Sequence, residues 1–308
     1  MGERSNISIV IPCFNASGTL RATVESVFAQ RVELEIVVVD DGSTDDSLVI
    51  ARSFGTALRT FTGPNRGVSA ARNRGIAETT GEWIIFLDAD DLLLPGTISK
   101  RLDAAEQSGA DVVVCNWIAD ERLRDGGSMD WAKVNADPEI AFASGIWDPP
   151  GALMYRRGIV DKIGGFREEE EMMVSEDQCF LFEAAFHGAR FAHADHNGMY
   201  YRISTGSLSR RNPAQNLRSW FASARFIEDC WRSRGPLTGP QRKVCAHNYD
   251  VIARAHFWSG HPDYFKAVRR QRAQGEPLSR HARIAQPLAR ILGLRLASQV
   301  LRRLGRGG

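Results

Sequence analysis

Three carboxylates fall within four positions at Asp88-Ala89-Asp90-Asp91, directly behind the apolar run Ile84-Ile85-Phe86-Leu87. Four consecutive apolar residues predict a strand buried on both faces. Unpaired charge at the end of such a strand is costly to bury. A divalent cation would remove that cost. Mg2+ and Mn2+ favour oxygen ligands and bind through one or two carboxylates plus the phosphates of a substrate. Asp88 and Asp90 are therefore the candidate metal ligands. Asp91 has a second reading, as N-cap of the helix that Pro95 helps to start. A further acidic pair, Asp40-Asp41, ends another apolar run. A third, Glu176-Asp177, follows Ser175 and fits a capped helix start with acids in its first turn.

The elements that must position these groups alternate. Ile7–Asn15 reads as a first strand that Pro12 stops. A helix is expected from Thr19 to Gln30, and Glu35–Val39 forms a second strand. Ser43 or Thr44 caps a helix to about Phe54, and Leu58–Thr62 is a short third strand. Asn65-Arg66-Gly67 is a turn before a helix over Val68–Glu78. Glu82–Leu87 is the fourth strand, Gly96–Gln107 a helix and Ala110–Cys115 the fifth strand. Strand and helix exchanging about every dozen residues is the pattern of β-α-β units on a parallel sheet, whose ligands sit outside the carboxyl ends of the strands. By that rule Pro12–Asn15, Asp40-Asp41 and Asp88–Asp90 face one crevice. No G-x-G-x-x-G follows the first strand, and no G-x-x-x-x-G-K-[ST] occurs anywhere, which disfavours a dinucleotide-dependent dehydrogenase and a P-loop ATPase. Asn116–Asp148 breaks the alternation and reads as a long loop. Gly151–Arg156 is a further strand, Arg157–Ile163 a short helix, and Ser175 to about His187 another. From Pro213 onward the chain turns helical.

Composition bounds the function classes. The 308 residues are 43% hydrophobic and 25% charged with a formal net charge of +2, ordinary for a globular protein and too weak a charge to imply nucleic acid. Five scattered cysteines without a C-x-x-C pair point to a reducing compartment and no zinc site. Ile7–Ile11 is too short for a signal-peptide core, and no stretch is apolar enough to span a bilayer, so a cytoplasmic protein is expected.

The combined motifs resemble family 2 glycosyltransferases of the GT-A fold. They are Val10-Ile11-Pro12-Cys13-Phe14-Asn15, Val38-Val39-Asp40-Asp41-Gly42-Ser43-Thr44-Asp45, Asn65-Arg66-Gly67 with Ala71-Arg72-Asn73, Phe86-Leu87-Asp88-Ala89-Asp90-Asp91, Gly164-Gly165-Phe166 and Glu176-Asp177. The resemblance implies a Rossmann-like, mostly parallel α/β sheet flanked by helices, in a catalytic domain over residues 1–212. A helical C-terminal region would occupy 213–308. It implies transfer of a sugar from a nucleotide-diphospho-sugar, a UDP-sugar first, to a hydroxyl acceptor on a cell-surface polysaccharide, glycan or lipid-linked glycan, with inversion. Asp40 would accept from the base, a charge-assisted contact to an imide N–H. Pro12, Asn15 and Asp41 would line the nucleoside, and Arg72 would lie near the base or phosphates, unless it is a helix-surface arginine. Asp88 and Asp90 would frame Mn2+ or Mg2+. Asp177 would be the general base, with Glu176 as the alternative. Relatives often carry a histidine two residues after the arginine matching Arg202. Ser204 stands there in this sequence, which leaves Arg202, Ser207 and Ser209 as phosphate contacts. His193-x-x-His196 offers no convincing metal site.

Two rivals follow. A nucleotidyltransferase would need a glycine-rich first loop with a basic residue, which is absent. A non-catalytic nucleotide-sugar-binding or scaffold protein of the same fold is the alternative. After Glu276 there is no acid, while Arg280, Arg283, Arg290, Arg295, Arg302, Arg303 and Arg306 follow among Ile284, Leu288, Ile291, Leu292, Leu296 and Val300. This tail reads either as a helix on an anionic membrane face or as a terminal helix packed on the annex. Nucleic acid is the weaker third reading.

Overall fold

The computed structural model describes residues 7–119, 128–202 and 213–304. The chain divides into two compact units, Met1–Ser207 and Leu208–Gly308.

The first unit is built on an eight-stranded sheet. Its strands are β1 (Ile7–Cys13), β2 (Glu35–Asp40), β3 (Arg59–Thr62), β4 (Trp83–Phe86), β5 (Leu92–Leu93), β6 (Val112–Ala119), β7 (Leu153–Arg156) and β8 (Phe191–Tyr201), in spatial order β3-β2-β1-β4-β7-β6-β8-β5. The pairs β3–β2, β2–β1, β1–β4 and β6–β8 run parallel. The pairs β4–β7, β7–β6 and β8–β5 run antiparallel. The parallel half is the part that alternation made legible.

Pro12 does not end β1, because it pairs with Val39, and Cys13 pairs with Asp40. Val10 O accepts from Leu87 N and Cys13 O from Asp41 N. By the two-residue alternation of a strand, Pro12 therefore turns its missing N–H toward the β4 side. The pairing with β4 ends there at Val10 and Phe86, so the ladder loses nothing.

Both faces of the central strands are covered. Ile9, Ile11, Val38 and Ile85 pack with Leu20, Val24 and Val27 of α1 (Leu20–Phe28) and Ile98 of α4 (Thr97–Ser108). On the opposite face Val37 and Val39 meet Ala71 of α3 (Val68–Ala77). The helix α2 (Ser47–Arg52) is shorter than the run to Phe54 that the sequence indicated, and its N-cap position is Asp46. A side chain at Gly75 would put its Cβ 2.1 Å from Val10 Cγ1, so α3 lies against β1 only because that position is glycine.

The segment read as a long loop holds two short helices, α5 (Trp131–Ala136) and α6 (Pro138–Ala143). Asp130 and Asp137 cap them, accepting from Lys133 N at 3.3 Å and Ile140 N at 3.0 Å. The helices α7 (Arg157–Ile163) and α8 (Glu176–Phe186) follow. Phe86, Phe166 and Phe180 pack together between β4 and α8, with Phe166 and Phe180 face to face at 4.0 Å and Phe86 edge-on to both. The polar residues of the strand β8 break the alternation of a strand. Its register against β6 shifts at Cys115 and Asn116.

The second unit contains α9 (Pro213–Ser233), α10 (Gly239–Ser259), α11 (Tyr264–Ala273), α12 (Arg280–Leu292) and α13 (Leu294–Leu304). Thr238 and Gln241 form a capping box at the start of α10. Buried Glu228 gathers Tyr249 Oη at 2.6 Å, Arg232 at 2.7 Å, Arg270 at 3.0 Å and Gln274 Nε2 at 3.1 Å. Pro287 lies inside α12, and Gly293 separates it from α13. All five cysteines are free. Among the described residues no helix is long and apolar enough to cross a membrane.

Candidate active site

The carboxyl ends of β1, β2 and β4 are knitted together by the acids that follow them. Asp40 is 2% exposed; its Oδ1 accepts from Ser43 N at 3.2 Å and its Oδ2 from Thr62 Oγ1 at 2.7 Å. Asp41 holds the Asn65-Arg66-Gly67 turn, with Oδ1 accepting from Arg66 N and Oδ2 from Gly67 N, both at 2.8 Å. Burial raises its carboxyl, and the two backbone N–H groups oppose that. Exposed Asn15 adopts φ 50°, and its Oδ1 accepts from Thr44 N at 2.8 Å. Asp45 Oδ2 accepts from Ser17 N at 3.0 Å. Asp40, Asp41 and Asn15 thus each have a structural task in the loops, and Pro12 is buried in β1.

Beyond β4 the three aspartates separate in role. Asp88 Oδ1 accepts from Arg72 Nη2 at 2.7 Å. Burial, then Asp88, pushes the Asp90 carboxyl up to about 6. Asp91 is fully buried, and burial followed by Asp88 and Asp90 raises it to about 9. It does not cap α4, whose N-cap position is Gly96 at φ 75°. Its Oδ1 instead accepts from Arg202 N at 2.9 Å, fastening the end of β8 to this strand end, and its Oδ2 is buried without a partner among the described residues. The charge of Arg202 lowers both Asp90 and Asp91, so this arginine belongs to the cluster. Ser204, Ser207 and Ser209 lie outside the described residues.

Arg72 is not a surface residue. It is 2% exposed, and the same guanidinium that binds Asp88 donates through Nη1 to Glu176 Oε1 at 2.8 Å while resting 5.0 Å from the Phe166 ring centroid. The helix α8 thereby presents its first turn to the end of β4. Burial, then Asp177, raises the Glu176 carboxyl to about 8, with Arg72 opposing. Asp177 is also raised by burial, opposed by Arg72 and by its own hydrogen bonds. Asp88, Glu176 and Asp177 therefore surround one guanidinium with an excess of negative charge, the condition under which a carboxylate holds a proton near neutrality.

Trp147 and Asp148, in the segment read as a loop, complete this region. Trp147 Nε1 donates to Asp177 Oδ2 at 2.7 Å, and Gln178 N donates to Oδ1 at 2.7 Å. Asp148 Oδ1 accepts from Trp117 Nε1 at 2.8 Å, its Oδ2 has no partner among the described residues, and burial raises it to about 7. Asp148, Asp177, Tyr155 and Phe86 line one small cavity of about 10 Å3, the room of a single water. Nothing in the Trp147-Asp148-Pro149-Pro150 string marks it as part of a site; the indole meets Asp177 only through the fold.

A divalent cation fits the D-x-D end. The donors are hard carboxylate oxygens, burial and then Asp88 raise the Asp90 carboxyl, and Asp91 Oδ2 is buried without a partner among the described residues. Among the described residues no three His, Cys, Asp or Glu side chains converge as a ready cage, so a metal there would take its remaining ligands from phosphate and water. His193 and His196 face other tasks. His193 Nε2 meets Asn116 Oδ1 at 2.7 Å and stacks on Trp131, and His196 Nε2 meets Thr97 Oγ1 at 3.0 Å.

The sheet order, with carboxylates gathered at one end of its parallel half, is the GT-A architecture. The fold is similar to that of S. aureus TarS (residues 1–349, in complex with UDP-GlcNAc), at a TM-score of 0.70 and 17% identity over 97% of this chain and 92% of that one. The mannosyltransferase PcManGT from Pyrobaculum calidifontis, in complex with GDP-Man and Mn2+, superposes at 0.59 with 20% identity over 96% and 84%. The sequence description "Glycosyl transferase family 2" matches residues 8–167. The chain belongs to that family, and it is a glycosyltransferase. It is 29% identical to the uncharacterized glycosyltransferase YibD of Escherichia coli, over 74% of this chain and 72% of that protein. It is 30% identical to the succinoglycan biosynthesis protein ExoO of Rhizobium meliloti, over 67% and 63%.

Proposed function

We propose that this glycosyltransferase moves a sugar from a nucleotide-diphospho-sugar, a UDP-sugar first, to a hydroxyl of a growing polysaccharide or glycan, with inversion at the anomeric carbon. The observation that carries the reading is the Arg72 bridge, which ties the Asp88 strand end to the helix start that bears Glu176 and Asp177. Asp177 is the general base: it takes the acceptor proton while the acceptor oxygen bonds to the anomeric carbon, and the C–O bond to the diphosphate breaks with its electron pair leaving on phosphate. Trp147 and Gln178 N orient the carboxylate. Asp88 and Asp90 would hold Mn2+ or Mg2+, which when bound supplies Lewis-acid neutralisation of the leaving diphosphate. Pro12, Asn15, Asp40 and Asp41 form the nucleoside side of the pocket, and Arg202 the phosphate side.

The polysaccharide product is supported by the named role of ExoO. The UDP donor is supported by the UDP-GlcNAc that TarS binds, and the metal by the Mn2+ of PcManGT, whose GDP-Man keeps GDP in the donor panel. A cytoplasmic location belongs to the same reading.

Thermal unfolding with UDP, GDP, dTDP and CDP, with and without Mn2+, tests the donor class, because a ligand of the folded state raises the midpoint. The matching UDP-sugar is then assayed with Asp177→Asn. Transfer should fall by about 10^2 to 10^4 while the nucleotide-induced shift stays. A variant that transfers normally removes Asp177 from the role. Absence of any nucleotide shift would favour a non-catalytic scaffold.

A further inference from the structure

The helix α12 is amphipathic in an inverted sense. Its inward positions are small or polar: Ala282, Ala285, Gln286 and Ala289 are buried. Three of its four large aliphatic residues are exposed, and Leu288 is half-buried. Ile291 is 78% exposed, Ile284 46% and Leu292 38%, and Leu296 at the start of α13 is 49% exposed. Arg280, Arg283, Ile284, Pro287, Arg290 and Ile291 all fall on the outward stripe, at helical spacing, and every one is exposed. Arg283, Arg290 and Arg295 form no ion pair among the described residues, and no acid occurs after Glu276. Leu292, Leu296 and Arg295 also border an open groove of about 580 Å3 with Pro262 and Phe265.

Isolated exposed aliphatics need no explanation, but a row of them inside a field of unpaired arginines does. We propose that this face docks on the surface of an anionic lipid bilayer. The aliphatic row would enter the boundary between headgroups and acyl chains, and the arginines would meet lipid phosphates. Two other occupants fit less well. A second copy of the chain packed face to face would set one arginine field against another, with no acid to compensate. A nucleic acid would use the arginines but would leave the aliphatic row in water, because its bases stack on aromatic rings. The face lies within the second unit and does not depend on the sugar-transfer reading.

The test is flotation of the full chain with vesicles of phosphatidylcholine alone and of phosphatidylcholine mixed with phosphatidylglycerol. Binding is expected to the anionic vesicles, weakening as salt rises. Ile284→Ser with Ile291→Ser should reduce partitioning by at least about tenfold, from the lost apolar burial. Arg283→Gln with Arg290→Gln should reduce it by about fivefold per arginine on the anionic vesicles alone. Both pairs change exposed residues, so the thermal midpoint should stay at the wild-type value, which separates lost docking from lost folding. The proposal falls if the chain ignores anionic vesicles at low salt, or if either pair of substitutions leaves binding unchanged. It also falls if the isoleucine variant instead abolishes a concentration-dependent dimer, or if single-stranded RNA displaces the protein from vesicles through the same arginines.

Discussion

Replacing Arg72 with Met removes the link between the D-x-D strand end and α8 at little change in volume. The Glu176 side chain is 8% exposed and would lose its guanidinium partner at 2.8 Å. Removing one member of a buried ion pair leaves the other charge uncompensated and costs about 3–5 kcal/mol. At about 2–4 °C per kcal/mol for a unit of this size, the midpoint should fall by about 6–20 °C. The cost depends on pH with a definite sign. Burial and Asp177 already raise the Glu176 carboxyl from 4.5 to about 8, and losing Arg72 raises it further. A carboxyl raised in the folded state contributes stability that is complete below its unfolded value and disappears as pH rises through its folded value. Arg72→Met should therefore be most damaging above about pH 8, and the deficit should shrink as pH falls through about 8 and Glu176 takes a proton. Urea unfolding on both sides of about pH 8 measures it. In alkaline buffer Arg72→Met with Glu176→Gln should recover more than half of the loss, because the unpaired charge is gone. A deficit below about 1 kcal/mol at alkaline pH, a deficit that ignores pH, or no rescue by Glu176→Gln would refute the reasoning.

Trp147→Phe keeps a ring but loses the N–H that favours ionised Asp177. The acid limb of kcat/KM should move to higher pH while nucleotide affinity holds, and an unmoved limb would remove the indole from that role. Asp148 is raised from 3.8 to about 7 by burial, so it adds stability that is present below pH 4 and lost as pH climbs to 7. Asp148→Asn should lose that pH dependence, so the difference between the two urea-unfolding curves should change by up to about 1.4 kcal/mol per pH unit. Parallel curves would show that Asp148 does not titrate in that window.

The parallel half of the sheet was readable because each strand there is a continuous apolar run ending in a turn, and its helices repeat at helical spacing. The motifs at Asp40-Asp41 and Asp88–Asp90 lie at those punctuation points, where a change from apolar to charged residues is visible in one dimension, and Glu176-Asp177 lies at the start of α8. Pro12 was misjudged because a proline is a strand stop only if its missing N–H faces a partner, and that depends on where β4 ends. Asp91 was misjudged as a cap because its true donor, Arg202 N, is 111 positions away. The alternatives for Arg72 could not be separated from its place in α3, since surface and interior arginines share a sequence. Trp147, Asp148 and the short strand β5 gave no local signal at all.

The sequence by itself determined the fold class, the family and the positions where charge meets the end of a buried strand, because these are written in short-range periodicity and in motif order. Only the tertiary structure decided that one buried guanidinium joins Asp88 to Glu176, that an indole holds Asp177, and that α12 turns its isoleucines outward. Those facts rest on contacts between residues far apart in the chain, and pairing at that distance is set by packing rather than by any local preference.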